Sequence, residues 1–402
     1  VVLALVAAAP AVAQEPAPAA PAAEAAAAPA APAPAAPGAE LADLSAKLDE
    51  VNQRALIAER KIELLEEAAA TAKTTTPIVQ ASEKGFNWKS PDNLFVVKVR
   101  GYIHADAREY ANSTDANPID QRNTFLVRRA RPVLEATFFD VADFRLMPDF
   151  GGGSAALYDA YLDLRPFQWL KLRAGKFKPP VGLERLQSAT AIIFPERALP
   201  TALVPNRDVG VQLHGVIGPQ VLTYEIGLFN GVVDGTLGDV DNNYAKDKIG
   251  RLFLTPLKWD PYNLFANLGI GVSASIGGQR GTPATFAGTP PARTANSTPN
   301  LPSFRSGGQQ TFFSYIVNDN APDATVIARG RRWRISPQGY YYYESFGLLG
   351  EWVQSSQSVI KGANVTTLDH RAWQVTASYV LGGKNSFEGV TVTNPFQTKT
   401  GD

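Results

Sequence analysis

From Leu94 onward apolar residues recur on alternate positions, while no apolar run in the chain reaches the ~18–20 residues of a membrane-spanning helix. Along Leu94 to Asp106 one face reads Phe95, Val97, Val99 and Ile103, and the other reads Lys98, Arg100, Tyr102, His104 and Asp106. Successive side chains of a strand point to opposite sides, so these two sets belong to opposite faces of a sheet. The split recurs where Tyr158, Ala160, Leu162 and Leu164 oppose Asp159, Tyr161 and Asp163, and where Leu170, Leu172 and Ala174 oppose Lys171 and Arg173. It recurs again where Trp373, Val375, Ala377, Tyr379 and Leu381 oppose Gln374, Thr376 and Ser378. A soluble sandwich alternates in the same way, so periodicity leaves two architectures open.

The connections separate them. Short links fall at 140–143, 165–167, 217–220, 258–261 and 344–346. Between them come longer polar links at 107–121, 178–207, 231–245, 277–324 and 357–369, with the brief Gly151-Gly152-Gly153-Ser154 as the exception. Short turns at one end and long loops at the other are the habit of an outer-membrane barrel, whereas a sandwich has no reason to sort loop length by side. Phe138, Phe139, Phe150, Tyr158, Tyr262, Phe265, Tyr341 and Tyr343 stand near strand ends and suit the aromatic belts of the two membrane interfaces. The expectation is an all-β transmembrane barrel over 94–402, with about twelve strands of the ~9–11 residues that a tilted span requires.

Composition narrows the function. Lys and Arg together number 38, as do Asp and Glu, so the basic surplus of a nucleic-acid binder is missing. The chain has no Cys, which excludes disulfides, thiolate metal sites and a cysteine nucleophile. Its histidines, His104, His214 and His370, lack partners at metal-ligand spacing, and neither a G-x-S-x-G elbow nor a Walker loop occurs. Gly151-Gly152-Gly153 reads as a tight turn, because no helix follows to cradle a phosphate. An enzyme would need a Ser-His or Asp-His pair assembled in space. Neither a metal nor a cofactor is expected.

The first eighty residues follow other rules. Val1 to Ala13 is short and apolar and ends in Ala11-Val12-Ala13 before Gln14, the pattern of a secretory signal. Its basic start and initiator Met are missing, so 1–13 reads as part of a signal peptide. Residues 14–39 are almost all Ala and Pro, a composition that forms no core and reads as a semi-stiff linker. Over 40–73 the period becomes seven: Leu41, Leu48, Ala55, Ile62 and Ala69 recur, with Leu44, Val51, Ala58 and Leu65 three places after the first four. This a/d seam holds for about four heptads and is flanked by Lys47, Glu50, Glu59, Arg60 and Glu66, which predicts a self-associating α-helical coiled coil. A lone amphipathic helix packed on the barrel would give a similar stripe, and the small Ala residues leave the oligomer state open.

Longer runs carry a resemblance. Arg128-Arg129-Ala130-Arg131, Asp149-Phe150-Gly151-Gly152-Gly153, the ten residues from Lys176 to Arg185, Glu196-Arg197-Ala198-Leu199-Pro200, and the seven from Asn206 to Gln212 resemble the phosphate-selective porin O/P family. The resemblance extends from Leu94 to the C-terminus. It implies a homotrimer of anion-preferring barrels of about sixteen strands each, in the outer membrane of a Gram-negative bacterium. Its implied partners are outer-membrane lipid and phosphate or related oxyanions, with the N-terminal coil in the periplasm and within reach of the cell wall. Two departures stand out. The chain ends in polar sequence at Asp402, without the terminal aromatic of a barrel strand, so a C-terminally truncated barrel is expected. The family's basic constriction does not align here position by position.

With the Val, Leu and Ile rows toward lipid, the lumen receives Lys98, Arg100, Arg129, Arg131, Lys171, Arg173, Arg332 and Arg334, beside the acids Asp106, Glu135, Asp159, Asp163 and Glu351. A charge on the lipid side would cost ~2–4 kcal/mol near the midplane. The cations arrive as i, i+2 pairs, ~7 Å apart on one face of a strand. That is the spacing of a ladder passing an anion between neighbours, and the planar fork of Arg matches phosphate oxygens. The competing reading is that the acids neutralise them and the wall is merely solvated. The link 178–207 mixes Ile192, Ile193, Phe194, Leu199 and Leu203 with Arg185, Glu196, Arg197 and Arg207. Folding inward would pack its apolar residues on the wall, and the family's habit of constricting with such a loop makes those four charged residues the candidate constriction. An external lid or a trimer contact would also bury them. Two other functions stay open: a general or sugar-type porin, for which Tyr340 and Tyr342 make too short an aromatic track, and an envelope tether anchored by the barrel.

Overall fold

The computed structural model describes residues 37–82, 85–110, 123–239, 241, 243–283, 286–287, 294–295, 297–317 and 322–393. The signal segment 1–13, nearly all of the linker 14–39 and most of the link 107–121 lie outside the described residues, as do parts of 277–324 and everything after 393. The chain divides near residue 72 into two bodies.

The N-terminal body is the helix α1, Pro37–Thr75. It begins inside the stretch read as linker, because a proline is tolerated in the first turn, and it ends just before Pro77, which disfavours helix in the preceding residue. Ala, Leu, Glu and Lys supply its propensity, and Lys47–Asp43 (2.7 Å) and Arg54–Glu50 (2.5 Å) add pairs one turn apart. The large residues of its seam are exposed, from 56% at Ile62 to 77% at Leu41.

The second body is a fourteen-stranded antiparallel sheet in which each strand pairs with the next along the chain. Its strands are β1 (Ile78–Ser82), β2 (Gly85–Lys89), β3 (Phe95–Arg108), β4 (Thr124–Phe138), β5 (Ala142–Asp149), β6 (Ala156–Phe167) and β7 (Leu170–Phe177). There follow β8 (Asp208–Ile217), β9 (Leu222–Phe229), β10 (Asp247–Leu254), β11 (Leu268–Arg280), β12 (Val326–Tyr343), β13 (Phe346–Lys361) and β14 (Asn364–Tyr379). Twelve of them lie beyond Leu94, as the alternation predicts. The other two, β1 and β2, precede it, so the sheet is larger than expected. At five residues each they are too short to show a period. Among the described residues the sheet is open, with β1 and β14 at its edges.

Two links differ from expectation. Residues 357–369 are the tips of β13 and β14 around a turn at Gly362-Ala363, where Gly362 takes φ +55°. Their Ser and Thr imitated a loop, yet they pair across both strands as far as Lys361 and Asn364. Conversely, the short link read at 258–261 is part of a longer connection between β10 and β11.

One face is apolar and exposed, with Ile103 at 73%, Ile226 at 59% and Trp373 at 72%. An exposed apolar face of this kind is what a membrane barrel turns toward lipid. The inner face is buried, and its core joins Phe177, Phe229, Ile249 and Val353 of four strands to Val181, Leu203 and Val204 of the connection 178–207 and to Phe304. Two bulges alter the face rule. One sits in β4 opposite His104-Ala105 and makes Arg128 the extra residue. The other sits in β6 opposite Met147-Pro148 and makes Tyr158 extra. Tyr158, read as an outward girdle residue, is thereby turned inward.

Candidate functional site

Burying a guanidinium is expensive unless a carboxylate and hydrogen bonds accompany it, and the inner face is organised around that constraint. On β3, Arg100 holds Glu135 at 2.8 Å. Glu135 also takes Arg145 at 2.6 Å, which reaches Asp159 at 3.3 Å, which takes Arg207 at 3.0 Å. The result is a row of alternating charge crossing four strands. Arg131 meets Asp149 at 2.7 Å and lies 4.1 Å from the ring centre of Tyr158, with Arg207 at 4.9 Å from the same ring. On β7, Arg173 meets Asp163 at 2.6 Å and covers Tyr161, while the other Asp163 oxygen accepts from His214 Nε2 at 2.9 Å.

Arg332 and Arg334 of β12 form a separate cluster. Both reach Asp247, at 2.8 and 3.0 Å, and Arg334 also holds Asp234 at 2.5 Å. Ser355 donates to Asp234 at 2.5 Å. Gly277 makes room for this cluster: a Cβ there would stand 1.9 Å from an Asp247 oxygen.

The connection 178–207 crosses the inner face. At one side the Leu183 and Glu184 amides donate to Glu351 on β13, at 2.6 and 3.3 Å. Gln374 on β14 donates to Glu351 at 2.6 Å and to Glu184 at 3.2 Å. At the other side the Glu196 carboxylate lies among Arg108 (3.3 Å), Arg128 and Arg129 (3.3 Å) of β3 and β4. Between these ends three cations are turned onto carbonyls. Lys178 donates to Leu186 O and Gln187 O, Arg197 to Glu184 O and Gln187 O, and Arg185 to Thr201 O and Asn206 Oδ1. Burial, with the neighbouring Arg197 and Arg207, pushes the Arg185 guanidinium down to about 9. Burial and Arg207 push Arg197 down to about 10.

A basic inner wall, an apolar outer face and a loop laid across the inside are the parts of a channel. Residues 97–281 match the family phosphate-selective porin O and P. The match runs from β3 to β11 and so covers less than the resemblance read from the sequence, which extended to the C-terminus. No curated protein matches. Among solved structures, the chain is similar to OmpT (in-vitro folded), an outer membrane protein of Vibrio cholerae, with TM-score 0.41 and 12% identity over 71% of each chain. It is similar to a loop L8 deletion mutant of that OmpT, with TM-score 0.42 and 12% identity over 72% of this chain and 79% of the other. A trimer form of OmpT gives TM-score 0.30 and 11% identity over 75% and 96%. The family match spans a little under half of the chain.

All eight wall cations read from the sequence lie on strands of the one sheet, but they do not form a free row. Arg100, Arg129, Arg131, Arg173, Arg332 and Arg334 each have a carboxylate partner. Lys98 and Lys171 have no ion pair among the described residues. The acids come from neighbouring strands and connections, which a single strand's spacing does not reveal. Sequence reasoning missed Arg108, Arg128, Arg145 and Tyr158; the doubled Arg128-Arg129 was a signal for a bulge. It also misjudged the loop's anchors. Leu203 is buried, but Ile193, Phe194 and Leu199 are 47–57% exposed. Buried with Leu203 are Val181 and Leu183, a few residues after β7, and Val204, a few residues before β8.

Proposed function

We propose that the chain is an outer-membrane porin that conducts anions in preference to cations and that its connection 178–207 narrows the path for phosphate or a related oxyanion. One observation carries the reading: Arg185 is buried and Lys178 and Arg197 are half-buried, all three on carbonyl acceptors and with no ion pair among the described residues. The acids balance much of the wall, so this loop carries the positive surplus, and fixed basic groups at a narrow point favour anions. Reversal potential across a planar bilayer holding the full-length protein, under a KCl gradient, tests it. Anion preference is expected, with chloride current blocked by phosphate and the block relieved in Arg129→Ala or Lys171→Ala. Near-equal permeability without phosphate block would make this a general porin.

The exposed seam of α1 favours one addition. Copies of α1 pair through Leu41, Leu44, Leu48 and Val51 and support a homotrimer from the periplasmic side. Charging the seam with Leu48→Asp and Val51→Asp would lower the trimer fraction on a native gel, while the conductance per pore stays the same.

A further inference from the structure

Three guanidiniums surround a single carboxylate at the tip of the connection 178–207. Arg108 approaches Glu196 at 3.3 Å, Arg129 at 3.3 Å, and Arg128 holds both of its oxygens, one through Nη2 at 3.1 Å. Arg129 also donates to Pro195 O at 3.3 Å and stands 3.0 Å from His104 Nδ1. Among the described residues Asp106 is the one other acid paired here, with Arg108 at 3.0 Å. Three positive groups therefore face two negative ones, and one of the two is carried on a loop. The place is not sealed: the side chains of Arg128, Arg108 and Glu196 keep 26, 16 and 13% of their surface.

A carboxylate offers one negative charge and two oxygens. A phosphate-type oxyanion offers more oxygens and as much charge or more, and the planar fork of Arg fits it in pairs of bonds. We infer that Arg108, Arg128 and Arg129 are an oxyanion site and that Glu196 is its tethered counter-anion, displaced when a mobile oxyanion arrives. This rests on the anion-channel reading. A tethered competitor acts as a local concentration of ligand and weakens the apparent affinity for the mobile one. Conduction needs that weakness, because a site that holds its ion too well stops passing it. Glu196 would thus trade affinity for release.

Neutralising the competitor should tighten the site. Inorganic phosphate is titrated against chloride conductance in bilayers holding the full-length wild type, Glu196→Gln, Glu196→Asp and Arg128→Gln. Glu196→Gln should lower the half-blocking phosphate concentration about tenfold, and Glu196→Asp should stay close to wild type. Arg128→Gln should raise it. An unchanged or raised value in Glu196→Gln, with wild-type block intact, overturns the inference and leaves the anion channel standing. No block in any of them, with no anion preference, overturns the channel reading itself. A second measurement needs no change at Glu196. The chain has no cysteine, so Ile193→Cys, at an exposed position near Glu196, takes a single spin label. Phosphate should make that label more mobile as the loop tip is released, and an unchanged spectrum at blocking phosphate overturns the displacement.

Discussion

Two arginine clusters on the same inner wall are built differently. At β12, Arg332 and Arg334 meet Asp234 and Asp247, two cations for two anions, with no more than 4% of any of these side chains exposed. At β3 and β4, Arg108, Arg128 and Arg129 outnumber Glu196 and Asp106, and Arg128 keeps a quarter of its surface. The first is balanced and closed, so it has nothing left to offer an ion and serves to pin the connection carrying Asp234 to the wall. The second is unbalanced and open. Counting charges and exposure separates a structural ion pair from a candidate site more sharply than the presence of arginines does.

Breaking the balanced cluster should hurt most. Arg334→Ala leaves Asp234 and Asp247 buried and under-paired, a loss of about 3–5 kcal/mol of the kind seen when one partner of a buried pair is removed. The heat-modifiable shift on a gel should move to lower temperature, and a variant as stable as wild type would remove the contrast between the clusters. Next comes Tyr158, whose ring carries both Arg131 and Arg207. Tyr158→Leu should cost about 1–2 kcal/mol of arginine stacking and reduce anion selectivity, and Tyr158→Phe should restore most of it. Equal loss in both variants would place the effect in the hydroxyl instead.

The alkaline limb gives a smaller test. Burial, with Arg207 and Arg197 beside it, holds the Lys178 ammonium well below the usual lysine value of 10.5. In that window the folded loop binds fewer protons than the unfolded chain, so raising pH stabilises it while removing positive charge. The anion-to-cation permeability ratio should fall as pH approaches 10.5, and fall less in Lys178→Met. Smallest is Lys98→Ala, which removes a wall charge without an ion pair among the described residues and should shift the ratio slightly without changing stability.

The alternation read from Leu94 onward reached the twelve long strands and put Lys98, Arg100, Arg129, Arg131, Lys171 and Arg173 on the buried face. It failed where a bulge adds one residue: Tyr158 changed sides and Arg128 joined Arg129 facing inward. It failed again at Gly362, where polar strand tips read as loop. The loop was legible as a long, charged, partly apolar segment, yet of its anchors Val181, Leu183, Leu203 and Val204 only Leu203 was among the apolar residues that stood out.

Strand periodicity is a local property, fixed by backbone geometry over a few residues, so the sequence alone determined which residues share a face and how the chain meanders. The partners of each charge are a property of register. Asp247 meets arginines 85 and 87 positions away, and Glu196 meets three that lie 67 to 88 positions before it. Only the paired sheet and the path of the connection 178–207 decide such distances, because each bulge and each loop shifts the partner of every charge beyond it.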